Sequence, residues 1–254
     1  TLVIDGLQDN PGGLRATGGT LVLGGDWTNN GVIGITDSTL QLMGSFHRND
    51  LGTIERSGGR IQLMGTMDNR DGTFELNEIT GDWEVFGGRI NGGVIRTQES
   101  ARMSFNESAD NVLDATMVEG ALVLDIPGAR LKILNGLTLN GTIDIAERGA
   151  HLEFVGTQTL GGDGLVRYGG GDGRKGIWIS EANTTLTIGS GIGVEGGTGF
   201  IGRSVGWFGG PQNVFLNNQG VIASGADGRI NFLVEGLVNS GDIETVEGTL
   251  VIDG

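Results

Sequence analysis

The sequence predicts an all-β fold, a parallel β-solenoid of about twelve coils with about 20 residues per coil. Three observations carry this. Short strands with aliphatic residues at i and i+2 recur at a fixed spacing: Leu21-Val22-Leu23, Leu40-Gln41-Leu42 and Ile61-Gln62-Leu63 start 19 and 21 positions apart, and Ile230-Asn231-Phe232 and Leu250-Val251-Ile252 start 20 apart. A turn segment of asparagine and glycine leads into a second strand, as in Trp27-Thr28-Asn29-Asn30-Gly31-Val32-Ile33 and Leu237-Val238-Asn239-Ser240-Gly241-Asp242-Ile243. Finally, 51 of the 254 residues are glycine, about three times the usual share.

Competing architectures fail on the same numbers. Glycine at this density would cost helix interiors about 1 kcal/mol per residue, which excludes helical repeats. A propeller blade needs about 40 residues. Collagen needs glycine at every third position and far more than the 3 prolines present. Hydrophobic residues make up 37% of the chain, too many for low-complexity disorder. Gly161-Gly162-Asp163-Gly164-Leu165 and Gly170-Gly171-Asp172-Gly173 echo a calcium β-roll nonapeptide without repeating it.

In a solenoid each coil pairs with its neighbours at about 4.8 Å, so like side chains stack in interior ladders. Glycine is expected at corners that need positive φ. Asn29, Asn69, Asn217 and Asn239 are expected to share one corner, tolerating left-handed backbone and bonding as an asparagine ladder. Residues 155–211 are harder to phase, and longer loops or an altered coil shape are expected there within a single solenoid spanning 1–254. Trp27 replaces Phe46 and Met67 in the repeat, which places it in the core. Trp83, Trp178 and Trp207-Phe208 are the other candidates for aromatic sugar stacking, and Trp207 is left open.

Composition also narrows function. A net charge of −15, from 16 Lys+Arg against 31 Asp+Glu, argues against nucleic-acid binding and against attraction to anionic lipid. Without cysteine there is no disulfide framework, thiolate metal site or cysteine nucleophile. The longest uncharged stretch, Ser204 to Ala226, is broken by Gly, Pro and Asn and cannot span a bilayer. The chain opens on Thr1, which reads as a mature product or a fragment.

Thr1-Leu2-Val3-Ile4-Asp5-Gly6 recurs as Thr249-Leu250-Val251-Ile252-Asp253-Gly254, an offset of 248. The chain is accordingly read as one period of a longer tandem array, its partner being itself, either as the next repeat or as the next subunit stacked end to end, with cell-surface or matrix polysaccharide as the other candidate partner.

The Asn-x-Gly-x-Ile run followed by a Leu-x-Ile or Leu-x-Leu strand resembles the repeats of filamentous haemagglutinin and related large secreted bacterial adhesins. It stands here in Asn239 to Ile252 and in Asn30 to Leu42. The resemblance implies a right-handed parallel β-helix at the cell surface. The expected function is the structural shaft of an extracellular fibre or giant adhesin.

The alternative is a polysaccharide-binding or polysaccharide-cleaving β-helix. Hydrolysis needs two facing carboxyl groups, and no two acidic residues are adjacent in the chain. Asp68/Asp71, Asp110/Asp114 and Asp242/Glu244 are the pairs to weigh, all in turn or surface-strand context. Only two lysines (Lys132, Lys175) and two histidines (His47, His151) are present, the latter in unrelated settings. No catalytic residue, cofactor or defined metal site is expected. Asp68-Asn69-Arg70-Asp71-Gly72 lacks the alternation of a calcium loop.

Overall fold

The computed structural model describes residues 1–171, 173–204 and 210–253. Its strands stack in parallel on three faces, which the chain visits in the order A, B, C. Face A starts at Leu2–Asp5 and continues through Thr20–Gly24, Thr39–Leu42, Arg60–Leu63, Trp83–Val85 and Met103–Phe105, ending at Asp242–Thr245. It holds twelve coils, linked residue to residue: Leu2, Leu21, Leu40, Ile61, Trp83, Met103, Leu122, Ile143, Val166, Val194, Ile222 and Ile243 form one column.

Face B is entered by the bridge Asp26 to Ser45 and runs from Ser45–His47 through Thr66–Asp68 and Arg89–Asn91 to Thr249–Asp253. On face C, Gly13–Thr17, Val32–Thr36 and Thr53–Ser57 form a separate three-stranded sheet. A second run on the same face begins at Thr73–Leu76 and ends at Gly236–Asn239. The long strands Val112–Leu124 and Arg130–Ile145 pass round the corners without a break, joining the faces into one 26-stranded sheet. Among the described residues the single helical element is a 3₁₀ turn at Arg48–Leu51, where His47 Nδ1 accepts from Asn49 N and Asp50 accepts from His47 N.

Aliphatics at i and i+2 reach the interior, as their period requires. From Leu21 to Ile222 every member of the face A column is buried. Removing each such side chain from water is worth about 1.5–3 kcal/mol, and the gain is repeated coil by coil. Trp27 is buried in this core, its ring stacked on Phe46 at 4.4 Å and its Nε1 donating to Met43 O at 2.9 Å. Phe46 in turn pairs with Met67, so the substitution series read from the repeat is a real column. Trp83 is buried edge-on to Phe74.

Most coils advance 19–23 residues, but Val166 to Val194 and Val194 to Ile222 each take 28. In the first of these coils the extra residues divide between the step from face A to face B (Val166 to Gly176) and the step from B to C (Gly176 to Ile188). In the second they lie in the step from B to C (Phe200 to Asn218), and the strand columns continue through both coils. Lys175 ties down the step from Val166 to Gly176. It is buried, and its ammonium donates to Ala146 O (2.8 Å), Gly169 O (3.2 Å) and Gly170 O. Asp172, Trp207 and Phe208 lie outside the described residues.

The expected role of glycine needs one correction. The glycines of the Asn-x-Gly turns, Gly31 and Gly241, do not have positive φ. They are required by close approach: a Cβ on Gly31 would sit 1.9 Å from Gly12 O, and one on Gly241 would sit 2.1 Å from Gly220 O.

Candidate functional site

The asparagines were expected on one corner and occupy two. Asn29 and Asn69 stand between faces B and C, in the second and fourth coils, whereas Asn239 stands between faces C and A near the other end. Asn217 is not part of the ladder. It pairs with Val238 and is half-buried, while the adjacent Asn218 pairs with Asn239 and is buried. None of these residues has positive φ, so the left-handed explanation is also replaced.

What they share is a turn. The amide of Asn10, Asn29, Asn218 and Asn239 donates in each case to the carbonyl of the glycine two residues on, at 3.5, 3.2, 3.3 and 3.0 Å. The spacing Asn-x-Gly therefore identifies the ladder position, and it singles out Asn218 over Asn217. Between coils, Asn10 Nδ2 donates to Asn29 Oδ1 (2.6 Å) and Asn218 Nδ2 donates to Asn239 Oδ1 (2.8 Å). Asn69, with a longer turn, donates to the carbonyls of Gly92 and Val94 in the next coil. The sequence reading missed Asn111, which is buried at the corner between A and B, donating to Asn106 and to Arg130 O and accepting from Gly87 N.

The outer faces carry polar ladders between coils. Gln41 donates to Gln62 and Gln62 to Glu84 on face A (3.0 and 2.9 Å). Arg96 joins Glu75 and Glu119 on face C. Of the acidic residues singled out from sequence, Asp114 belongs to this pattern. Asp68 is paired with Arg70, whose hydrogen bonds hold its carboxyl down to about 2. Asp114 is paired with Arg89 and accepts from Asn135. Asp71, Asp110, Asp242 and Glu244 are exposed. Among the described residues no group of three or more His, Cys, Asp or Glu side chains is placed to hold a metal ion, and no helix is long and apolar enough to cross a membrane.

The two histidines are far apart in kind. His47 caps the 3₁₀ turn. His151 is buried, edge-on to Trp178 at 5.3 Å, with its Nδ1 3.0 Å from Gly149 O. Burial, with a smaller contribution from Arg130, pushes its pKa down to about 4. Nearby, a groove of about 430 Å³ is lined by Arg130, Arg148, Arg174, Glu107, Pro127 and Phe200. All three arginines are already engaged within the chain.

Comparison with protein families, with curated proteins and with solved structures finds no match to this chain.

The ends of the solenoid differ most from its body. Residues of the first and last coils are exposed or half-buried even at interior positions: Leu2 is 50% exposed and Ile252 57%. Ile4, Leu7, Leu14, Leu237, Ile243 and Leu250 pack on the core from one side only. Each end therefore presents an apolar cross-section ringed by strand edges.

Proposed function

We propose that this chain is a segment of the structural shaft of an extracellular bacterial fibre or giant adhesin. The observation that carries this reading is the unbroken strand column of face A along twelve coils, with the strands of faces B and C stacked beside it around a single core. Such a body is quasi-one-dimensional, and its stiffness comes from every coil being bonded above and below. The polar ladders on the outer faces support it, since they spend side-chain hydrogen bonding on joining one coil to the next. The apolar ends support continuation, because stacking would cover surface that water now meets. The cell-surface setting rests on the resemblance of the Asn-x-Gly-x-Ile coils to adhesin repeats.

Electron microscopy of the purified chain tests the mechanical part. Twelve coils at about 4.8 Å give a rod roughly 58 Å long. Joined copies should lengthen it in proportion while keeping its width. Copies that fold as separate beads would overturn the proposal.

A further inference from the structure

The hexapeptide shared by both ends occupies different faces. Leu2–Asp5 is the first strand of face A, while Thr249–Asp253 is the last strand of face B. From one to the other the chain makes eleven complete turns and advances one further face. The local sequence slips with it. In the first coils the Asn-x-Gly turn lies between B and C, as at Asn29, and in the last coils it lies between C and A, as at Asn218 and Asn239. The exchange falls within the long strand Arg130–Ile145. There the same coil carries Asn135-Gly136 at the first corner and Asn140-Gly141 at the second.

Resting on the shaft reading, we propose that successive copies of this unit share the hexapeptide and stack with each copy rotated by one face, a third of a turn, relative to the one before. The occupant of the exposed end is thus a second copy whose Thr1–Gly6 is Thr249–Gly254 of the first.

Three features converge on this register. With the hexapeptide shared, Leu14 of the second copy follows Ile243 by 19 residues, the same step that separates Leu14 from Ile33, its partner in the next coil. That places Gly13, Leu14 and Arg15 of the second copy opposite Asp242, Ile243 and Glu244. It covers the half-exposed Ile243 with an aliphatic and sets an arginine beside a glutamate. The asparagines then meet with matching polarity. In both existing pairs the earlier residue donates Nδ2 to the later Oδ1, so Asn239 would donate to Asn10 of the second copy, giving one ladder from Asn218 through Asn239 and Asn10 to Asn29. Without the rotation, Asn239 and Asn10 stand at different corners and both asparagine ladders stop.

A copy then rises about 54 Å, eleven and one-third turns at about 4.8 Å. Each face returns to the same side of the fibre only after three copies. Any feature of one face is displayed in three directions around the shaft.

The test uses a two-copy protein, residues 1–248 followed by 1–254, in which the absence of native cysteine makes paired thiols unambiguous. One variant carries Glu244→Cys in the first copy and Arg15→Cys in the second. The other carries Glu244→Cys in the first copy and Val22→Cys in the second, which would face each other if the copies stacked without rotation. The expected result is a continuous rod of roughly 110 Å, with the first pair linked by mild oxidation or a short bis-thiol reagent and the second pair left free. Linkage of the second pair, or a continuous rod in which neither pair links, overturns the rotation and leaves the shaft intact. Two short rods joined flexibly would overturn the shaft reading itself.

Discussion

At the scale of single residues, neighbours in sequence have sharply different weight. Asn218 is buried and its amide serves Gly220 O, Asn239 Oδ1 and Asp242 O. Replacing it leaves those acceptors short of a donor inside the corner. Asn218→Ala should cost about 1–3 kcal/mol, while Asn217→Ala should stay within about 0.5 kcal/mol. Urea unfolding of the two variants checks this, and equal effects would contradict the ladder assignment. His151 gives a second residue-level expectation. Its pKa is lowered from 6.5 in the unfolded chain to about 4 in the fold. The unfolded state therefore takes up the proton first as pH falls. The stability tied to neutral His151 is complete above about pH 6.5 and is lost progressively down to about pH 4, in total about 3 kcal/mol. His151→Phe should flatten that part of the stability–pH curve, and an unchanged slope between pH 6.5 and 4 would assign it to other groups.

At the scale of elements, corners fix the coil more tightly than strands do. Gly141 lies in the long strand Arg130–Ile145, and a Cβ there would fall 2.0 Å from Gly120 O in the coil below. The obstacle is backbone held by the ladder, so Gly141→Ala must shift a coil. It should lower the thermal midpoint far more than Gly170→Ala, where a Cβ meets nothing within 4 Å and φ is not positive. Matching melts would mean that the corners can give. The same elements show why part of the fold was legible in sequence and part was not. Strands such as Leu40-Gln41-Leu42 announce themselves, because alternate aliphatics have one inward direction. Trp27 could be placed because Phe46 and Met67 hold its position in adjacent repeats. Which face a strand occupies is written in no local residue: Leu2-Val3-Ile4 and Leu250-Val251-Ile252 are identical and stand on different faces. Face identity is the sum of corner lengths over eleven coils, and one exchange of turns at Asn135 and Asn140 changes it for every strand that follows. The asparagine ladder was missed by one residue for a related reason. The alignment of repeats marked Asn217, and only the step of two to Gly220 picks out Asn218 instead.

At the scale of the whole molecule, stability should vary along the axis. In a solenoid each coil is held by its own folding propensity and by two interfaces, so a terminal coil keeps one interface of two. The burial follows this logic. Coils from Leu21 to Phe232 contain fully buried side chains, while Leu2 and Ile252 remain at least half exposed. Local opening of an end coil thus exposes less new apolar surface and breaks one row of hydrogen bonds, whereas opening Arg130–Ile145 breaks two rows and opens the core on both sides. Amide hydrogen exchange of the 254-residue chain should show strong protection across 122–145 and rapid exchange in 13–17 and 242–253. In the two-copy protein, residues 242–248 of the first copy and residues 1–5 and 13–17 of the second should gain protection approaching that of the middle coils, because each then has a neighbour on both sides. The outermost strands should stay fast. If the junction amides exchange as quickly in the two-copy protein as in the single chain, the ends are not mutually complementary, whatever the sequence identity of their strands. Protection that appears at the junction and nowhere else ties the effect to stacking, since a general gain in stability would slow the middle coils as well.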